Sequence, residues 1–471
     1  MMNEKDEETL SEVVGRYYKQ ILIFMFGLFL LISTYFLPVP VIEELSGDQR
    51  AVFGILLFAA VLWITEAIPL YATSILIVLF QILFISEETV NANEALAPFF
   101  NTIIALFLGG FALAAALHKY NVDNKLAKQM IKSVGKSPKM IMFGMMFITA
   151  FLSMWMSNTA TTALMIALAL PIYTQIPKEE KFSKALILGI PFAANIGGMA
   201  TPIGTPPNAI IIERLSTEGI YLSFLDWVII ALPITILMFL FAYFVLYFAF
   251  KPSIKELDID LEHKAKSGFS RKQIFILVIF SITVLLWLTS SVPIVDTLFQ
   301  SAGIIALIPV VVFFGTGLLD KDDLGKLNWN VLLLMGGGMS LGNAMRVTGL
   351  AEWMVSLVDH QALGLIMVVV IFSAIAIILS TFMSNTATAA LMAPIMIIIG
   401  MDLGSSISIM ASVALACSMA MALPVSTPPN AIAYGTDKVD IRDMMKYGAL
   451  ISIVGVTLLA IIFGVFMVNL F

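Results

Sequence analysis

From Ile21 to Val41 the chain carries no charged residue, and comparable apolar runs recur as far as the C-terminus. A helix needs about 20 mostly apolar residues to cross the hydrocarbon core of a bilayer. So many such runs in one chain exclude a water-soluble fold. Only 12% of the residues are charged and 60% are hydrophobic, where an ordinary soluble domain carries roughly 25% charged residues. A transmembrane β-barrel is excluded by pattern, because its strands alternate apolar and polar residues over about 10 positions. The expected class is therefore an all-α polytopic membrane protein.

Hydropathy places spans at 21–38, 50–67, 71–86, 102–118, 185–214, 226–250, 273–289, 300–317, 329–349, 405–432 and 447–469. Two further apolar segments, 140–176 and 363–400, are interrupted midway by polar residues. Cytoplasmic loops collect Lys and Arg. Lys119, Lys125, Lys128, Lys132, Lys136 and Lys139 follow the fourth span, and Lys251, Lys255, Lys264, Lys266, Arg271 and Lys272 follow the sixth. The connection 86–101 carries Glu87, Glu88 and Glu94 and no basic residue. An N-terminus inside the cell puts all three on the required sides and leaves the C-terminus outside. Two extra crossings at either interrupted segment would preserve this parity, so charge does not separate a re-entrant hairpin from a pair of full spans.

The chain repeats itself. Met156-Ser-Asn-Thr-Ala-Thr-Thr-Ala-Leu-Met165 returns as Met383-Ser-Asn-Thr-Ala-Thr-Ala-Ala-Leu-Met392. Pro202-Ile-Gly-Thr-Pro-Pro-Asn-Ala-Ile210 returns as Pro424-Val-Ser-Thr-Pro-Pro-Asn-Ala-Ile432. Upstream, Trp63 and Pro69 match Trp287 and Pro293, and Gly109-Gly110 matches Gly336-Gly337. In the charge-based topology segment 140–176 starts at the cytoplasmic face and segment 363–400 at the outer face, so the repeats are inverted. The expected organisation is a cytoplasmic N-terminal segment 1–20, a first repeat 21–250, a cytoplasmic connection 251–272 and a second repeat 273–471. Inverted repeats of this kind are typical of secondary transporters, with the site near the midplane where the repeats meet.

The four polar motifs need a reason to lie at membrane depth. An unsatisfied amide there costs several kcal/mol. At the tip of a re-entrant hairpin, Ser157-Asn158-Thr159 or Ser384-Asn385-Thr386 would sit at the start of a returning helix. That end exposes N–H groups, carries about half a positive charge and receives carboxylates. In Thr205-Pro206-Pro207-Asn208 and Thr427-Pro428-Pro429-Asn430, two successive prolines remove two donors and stop a helix. Such a break is tolerated in a bilayer only where protein buries it or it lines a cavity, and its freed carbonyls can coordinate a cation. Taken singly, a Ser-Asn-Thr is often helix–helix glue and a Pro-Pro a kink; four instances paired by a repeat argue for a site.

At these residues the sequence closely resembles the divalent anion/sodium symporter family of dicarboxylate transporters, from about residue 20 to 470. The resemblance implies eleven spans, two opposed re-entrant hairpins and two unwound helices. It implies a homodimer in which a transport domain moves against a scaffold like an elevator. The substrate site it implies comprises Ser157, Asn158, Thr159, Thr205, Pro206, Ser384, Asn385, Thr386, Thr427 and Pro428. It implies one sodium site at Ser153, Ser157, Asn158 and the Gly204 carbonyl, and another at Ser380, Asn385 and the Ser426 carbonyl. Expected substrates are succinate, malate, fumarate and 2-oxoglutarate, with no resident cofactor and Na⁺ as the candidate coupling ion. Citrate, sulfate or arsenite on the same scaffold is the alternative.

Energetics leaves the driving ion open. A dianion entering a cell against 100 mV opposes about 4.6 kcal/mol, at about 2.3 kcal/mol per charge. Two co-transported sodium ions cancel that term, whereas exchange of one dianion for another never meets it. A membrane-embedded enzyme is a weaker reading, since its candidate residues Glu66 and Arg346 lie near span ends and do not match in the repeat. The three histidines are scattered, the lone Cys417 reads as a small core residue, and no nucleic-acid partner is suggested. The acidic N-terminal segment does not resemble a cleavable signal peptide. The connection 251–272, with Ile254, Leu257 and Leu261 among its basic residues, suits either the membrane surface or a solvated linker.

Overall fold

A computed structural model describes residues 10–37, 42–177, 180–257 and 268–466. The described residues form helices and no strand. Among the described residues eight helices are long and apolar enough to cross a membrane, and Pro293–Phe299 with Ala302–Gly315, bent by 64°, reach that length and apolarity only when taken together. The first helix starts at Leu10, earlier than its apolar stretch, and runs to Phe36. Where hydropathy places one span at 185–214, the chain forms Phe182–Gly198, a break, and Pro206–Thr217. Where it places one at 405–432, the chain forms Ser406–Ser418, a break, and Pro428–Tyr434. In both, the prolines open the helix after the break, where a missing N–H leaves no bond unmade.

The two interrupted segments fold as helical hairpins. The first pairs Pro138–Ser153 with Asn158–Gln175, and the second pairs His360–Phe382 with Asn385–Asp402. The architecture is thus all-α and polytopic, with repeated halves, two hairpins and two broken helices.

The halves are related in detail. The indole of Trp63 donates to the Leu70 carbonyl, and the indole of Trp287 donates to the Ala302 carbonyl. Each acceptor is the first residue of the next long helix. A buried indole needs a partner, and both repeats supply it in the same way. The matched glycines lie at helix crossings between the halves. A Cβ added to Gly109 would stand 2.1 Å from the Ala306 carbonyl oxygen, and one added to Gly337 would stand 2.3 Å from the Ser74 Cβ. Thr102–Lys119 therefore packs backbone-close on Ala302–Gly315, and Trp329–Val347 on Leu70–Phe84. Small residues at membrane helix interfaces allow such approach.

The described part of the connection is mostly exposed, with one anchor. Leu257 is buried and its N–H donates to the Lys136 carbonyl. Leu261, Lys264 and Lys266 lie outside the described residues. Glu66 sits just past the helix Gly47–Thr65 with φ 48°. Arg346 donates to Asn343 at 2.8 Å, and Cys417 is fully buried.

Candidate functional site

Each hairpin tip is built by a serine. Ser157 precedes Asn158–Gln175 with extended backbone, and its Oγ accepts from the Ala160 N–H at 3.2 Å. Ser384 does the same for Asn385–Asp402, accepting from the Ala387 N–H at 3.1 Å. An oxygen used this way as an N-cap keeps its proton for another acceptor. The next two residues, Asn158-Thr159 and Asn385-Thr386, hold the N–H groups that the helices leave unbonded.

The breaks are held open by their asparagines. Asn208 Nδ2 donates to the carbonyls of Gly198, Met199 and Thr201. Asn430 Nδ2 donates to those of Met421 and Leu423. Met199 matches Met421 and Thr201 matches Leu423, each 222 positions on, the spacing of the two asparagines themselves. Much of the carbonyl capacity that the broken helices free is therefore taken by the fourth residue of each Thr-Pro-Pro-Asn motif. Thr201 adds a tie from the first break to the first hairpin tip, its Oγ1 donating to the Met154 carbonyl.

All four motifs open onto one cavity of about 670 Å³. Its lining includes Ser157, Asn158, Thr159, Thr205, Pro206, Ser384, Asn385, Thr386, Thr427 and Pro428, with Gly204 and Ser426 beside them. Among the described residues no charged side chain lines it. Phe107, Phe111, Leu70, Val331 and Leu334 supply apolar wall. That volume lies within the range of small-molecule sites.

Ser153 and Ser380 do not line the cavity and sit buried one turn before each tip. Here the halves differ. Ser153 Oγ lies 2.5 Å from Asn158 Oδ1 and 2.9 Å from the Ala194 carbonyl, two acceptors that share its one proton. Asn385 Oδ1 is buried without a partner among the described residues, and the buried Ser380 Oγ has only the weakly hydrogen-bonding Cys417 thiol beside it. Two neighbouring hydroxyls of the second half, Thr388 Oγ1 and Ser418 Oγ, are also buried without a partner among the described residues.

Asn195 is a cavity residue that motif reading missed. It is fully buried on Phe182–Gly198, and its Nδ2 reaches Thr427 Oγ1 at 3.1 Å and Asn430 Oδ1 at 3.3 Å. A lone amide in an otherwise apolar run was the available signal.

A bilayer-spanning fold of two inverted repeats, with a central cavity lined by hairpin tips and broken helices, defines a membrane transporter rather than an enzyme. The sodium:sulfate symporter transmembrane region matches residues 18–471, and the chain belongs to that family. It is 33% identical to the sodium-dependent dicarboxylate transporter SdcS of Staphylococcus saprophyticus, over 89% of this chain and 86% of that one. An uncharacterized transporter of Schizosaccharomyces pombe is 32% identical over 90% of this chain. The inorganic phosphate transporter PHO87 of Saccharomyces cerevisiae is 33% identical over 83%. The chain spans 50% and 43% of the length of these two fungal relatives. The solved structure of the Alcanivorax borkumensis YdaH transporter shares the fold, with a TM-score of 0.53 at 12% identity over 95% of this chain and 98% of that one.

Proposed function

We propose that this protein carries C4 and C5 dicarboxylates (succinate, malate, fumarate, 2-oxoglutarate) across the cell membrane by sodium symport. The observation that carries the reading is the uncharged cavity into which both Ser-Asn-Thr tips and both Thr-Pro-Pro segments open. Two carboxylates of one small molecule would each meet a serine hydroxyl and the open N–H groups of a hairpin helix. Helix ends and hydroxyls hold an anion without a fixed counter-charge, which suits a site that must also release it.

Sodium enters through the same residues. Asn385 Oδ1 is a buried acceptor without a donor among the described residues, Ser380 Oγ is a second buried oxygen one turn before the same tip, and hard cations take oxygen ligands. With the Ser426 carbonyl they would form one sodium site. The other would use Ser153, Ser157, Asn158 and the Gly204 carbonyl, with the Ser153–Asn158 bond opening to admit the ion. The likeness to a sodium-dependent dicarboxylate transporter supports this choice over exchange.

The hairpins and broken helices would form the moving body, and the crossed helix pairs at Gly109 and Gly337 the scaffold, in a homodimer. The cavity is walled by Pro69–Tyr71 and Asn328–Leu334. Loop charge assigns these helix starts to the cytoplasmic face, so this arrangement is inward-facing, with the N-terminus inside and the C-terminus outside. The family's description and the phosphate transporter among its relatives favour an inorganic oxyanion as the second reading.

The test is uptake of labelled succinate by proteoliposomes. One set carries an inward sodium gradient and no internal substrate; the other carries no sodium and unlabelled dicarboxylate inside. Uptake in the first set only is the expected result. Uptake in the second only would establish exchange, and uptake of phosphate or sulfate but not succinate would overturn the substrate assignment.

A further inference from the structure

We infer that Asn195 is a positioning residue that turns the Thr427 hydroxyl into a donor facing the substrate cavity. This rests on the reading above, in which Thr427 meets the anion.

The assignment follows from hydrogen-bond accounting. Asn430 lies 2.9 Å from the Met421 carbonyl and 3.1 Å from the Leu423 carbonyl through the same side-chain atom. Carbonyls only accept, so that atom is the amide nitrogen and Asn430 Oδ1 points the other way. The Asn195 atom 3.3 Å from Asn430 Oδ1 must then be a donor, which fixes it as Nδ2. The same Nδ2 is 3.1 Å from Thr427 Oγ1. Thr427 Oγ1 therefore accepts from Asn195, and it also accepts from the Asn430 N–H at 3.3 Å. A hydroxyl oxygen has two lone pairs and one proton. With both lone pairs occupied, the proton is directed away from both donors. Thr427 lines the cavity and donates to no acceptor among the described residues. Its O–H is thus left for a carboxylate.

The first repeat lacks this device. Thr205 holds the matching place, but its side chain caps no N–H. Asn208 Oδ1 is buried without a partner among the described residues. The residue that would mirror Asn195 is Cys417, 222 positions on, and a thiol is a weak donor. The two cavity threonines are therefore not equivalent: Thr427 is set as a donor beforehand, and Thr205 is free to turn. The Asn195 bonds also join a helix of the first repeat to the break of the second.

The experiment is a double-mutant cycle on the full-length protein in liposomes, reading KM and Vmax for succinate. Thr427→Val removes the hydroxyl, and Asn195→Cys installs the residue that the other repeat uses at this place. Thr427→Val should raise KM about tenfold or more, the range for a lost hydrogen bond to a charged group. Asn195→Cys should raise KM by a smaller factor with Vmax retained. The double variant should match Thr427→Val alone, because Asn195 acts through a hydroxyl that is no longer there. Asn195→Ala, tested in the same cycle, replaces the Cys variant should the latter fail to insert. Independent multiplication of the two effects, or an Asn195 variant with unchanged KM beside a raised KM for Thr427→Val, would overturn this inference and leave the site assignment intact. An unchanged KM for Thr427→Val would instead overturn Thr427 as a substrate contact, and this inference with it.

Discussion

Replacing Asn430 tests whether the break in the second repeat is held by donated hydrogen bonds or merely by proline stiffness. Asn430 is fully buried, and its amide serves the Met421 and Leu423 carbonyls while its Oδ1 takes the Asn195 amide. Asn430→Leu keeps the approximate size, leaves the Met421 carbonyl without a donor, and leaves the Leu423 carbonyl with only the Ser426 N–H at 3.1 Å. A buried acceptor stripped of its partner costs about 1–3 kcal/mol, so the break should weaken by about that amount. Asn430→Asp should be worse than Leu, because a carboxylate can only accept and would face two carbonyls and a buried environment. Cys417 supplies the assay. It is the only cysteine in the chain, it is fully buried, and it lies on Ser406–Ser418 immediately before this break. In purified protein, a thiol-reactive fluorophore followed on heating should report Cys417 at lower temperature for Leu and lower still for Asp. An Asp variant as stable as wild type, or a Leu variant with an unshifted transition, would refute the donor account and leave the prolines to explain the break.

The matched glycines give a packing prediction. Gly337→Leu or Gly109→Leu should separate helices now in backbone contact and strongly lower the yield of folded protein, read by size-exclusion in detergent. Trp287→Phe should cost about 1 kcal/mol, the worth of the hydrogen bond to Ala302, because the stacking on Phe224 at 5.3 Å is kept; thermal unfolding compared with Trp287→Ala, expected at about 3–5 kcal/mol, checks it. Ser384→Ala removes an N-cap worth about 1 kcal/mol and a cavity hydroxyl together, so both the melting temperature and the affinity for succinate should fall. Asn385→Ala should shift the sodium concentration for half-maximal uptake upward more than the succinate KM; equal shifts would count against a cation role.

The class of protein, its spans and its repeat were legible in the sequence because each rests on local chemistry. Apolar length decides whether a segment enters a bilayer, loop lysines give it a direction, and two successive prolines cannot sit inside a helix without breaking it, though they can open one. The tips at Ser157 and Ser384 fell where those signals place them, the breaks lie just before the Thr-Pro-Pro-Asn motifs and end at Thr205 and Thr427, and all ten proposed substrate residues face one cavity. What lay beyond reach was pairing across the repeats. Asn195 meets Thr427 and Asn430 from more than 230 positions away, and Gly337 meets Ser74 from the opposite half. The unequal partners of Asn158 and Asn385, within copies of nearly the same motif, likewise arise from what each tip packs against. Hydrophobic burial acts along the chain and reads out as pattern. A hydrogen bond is short and directional, so which donors and acceptors meet is settled only when the tertiary structure brings distant segments within about 3 Å.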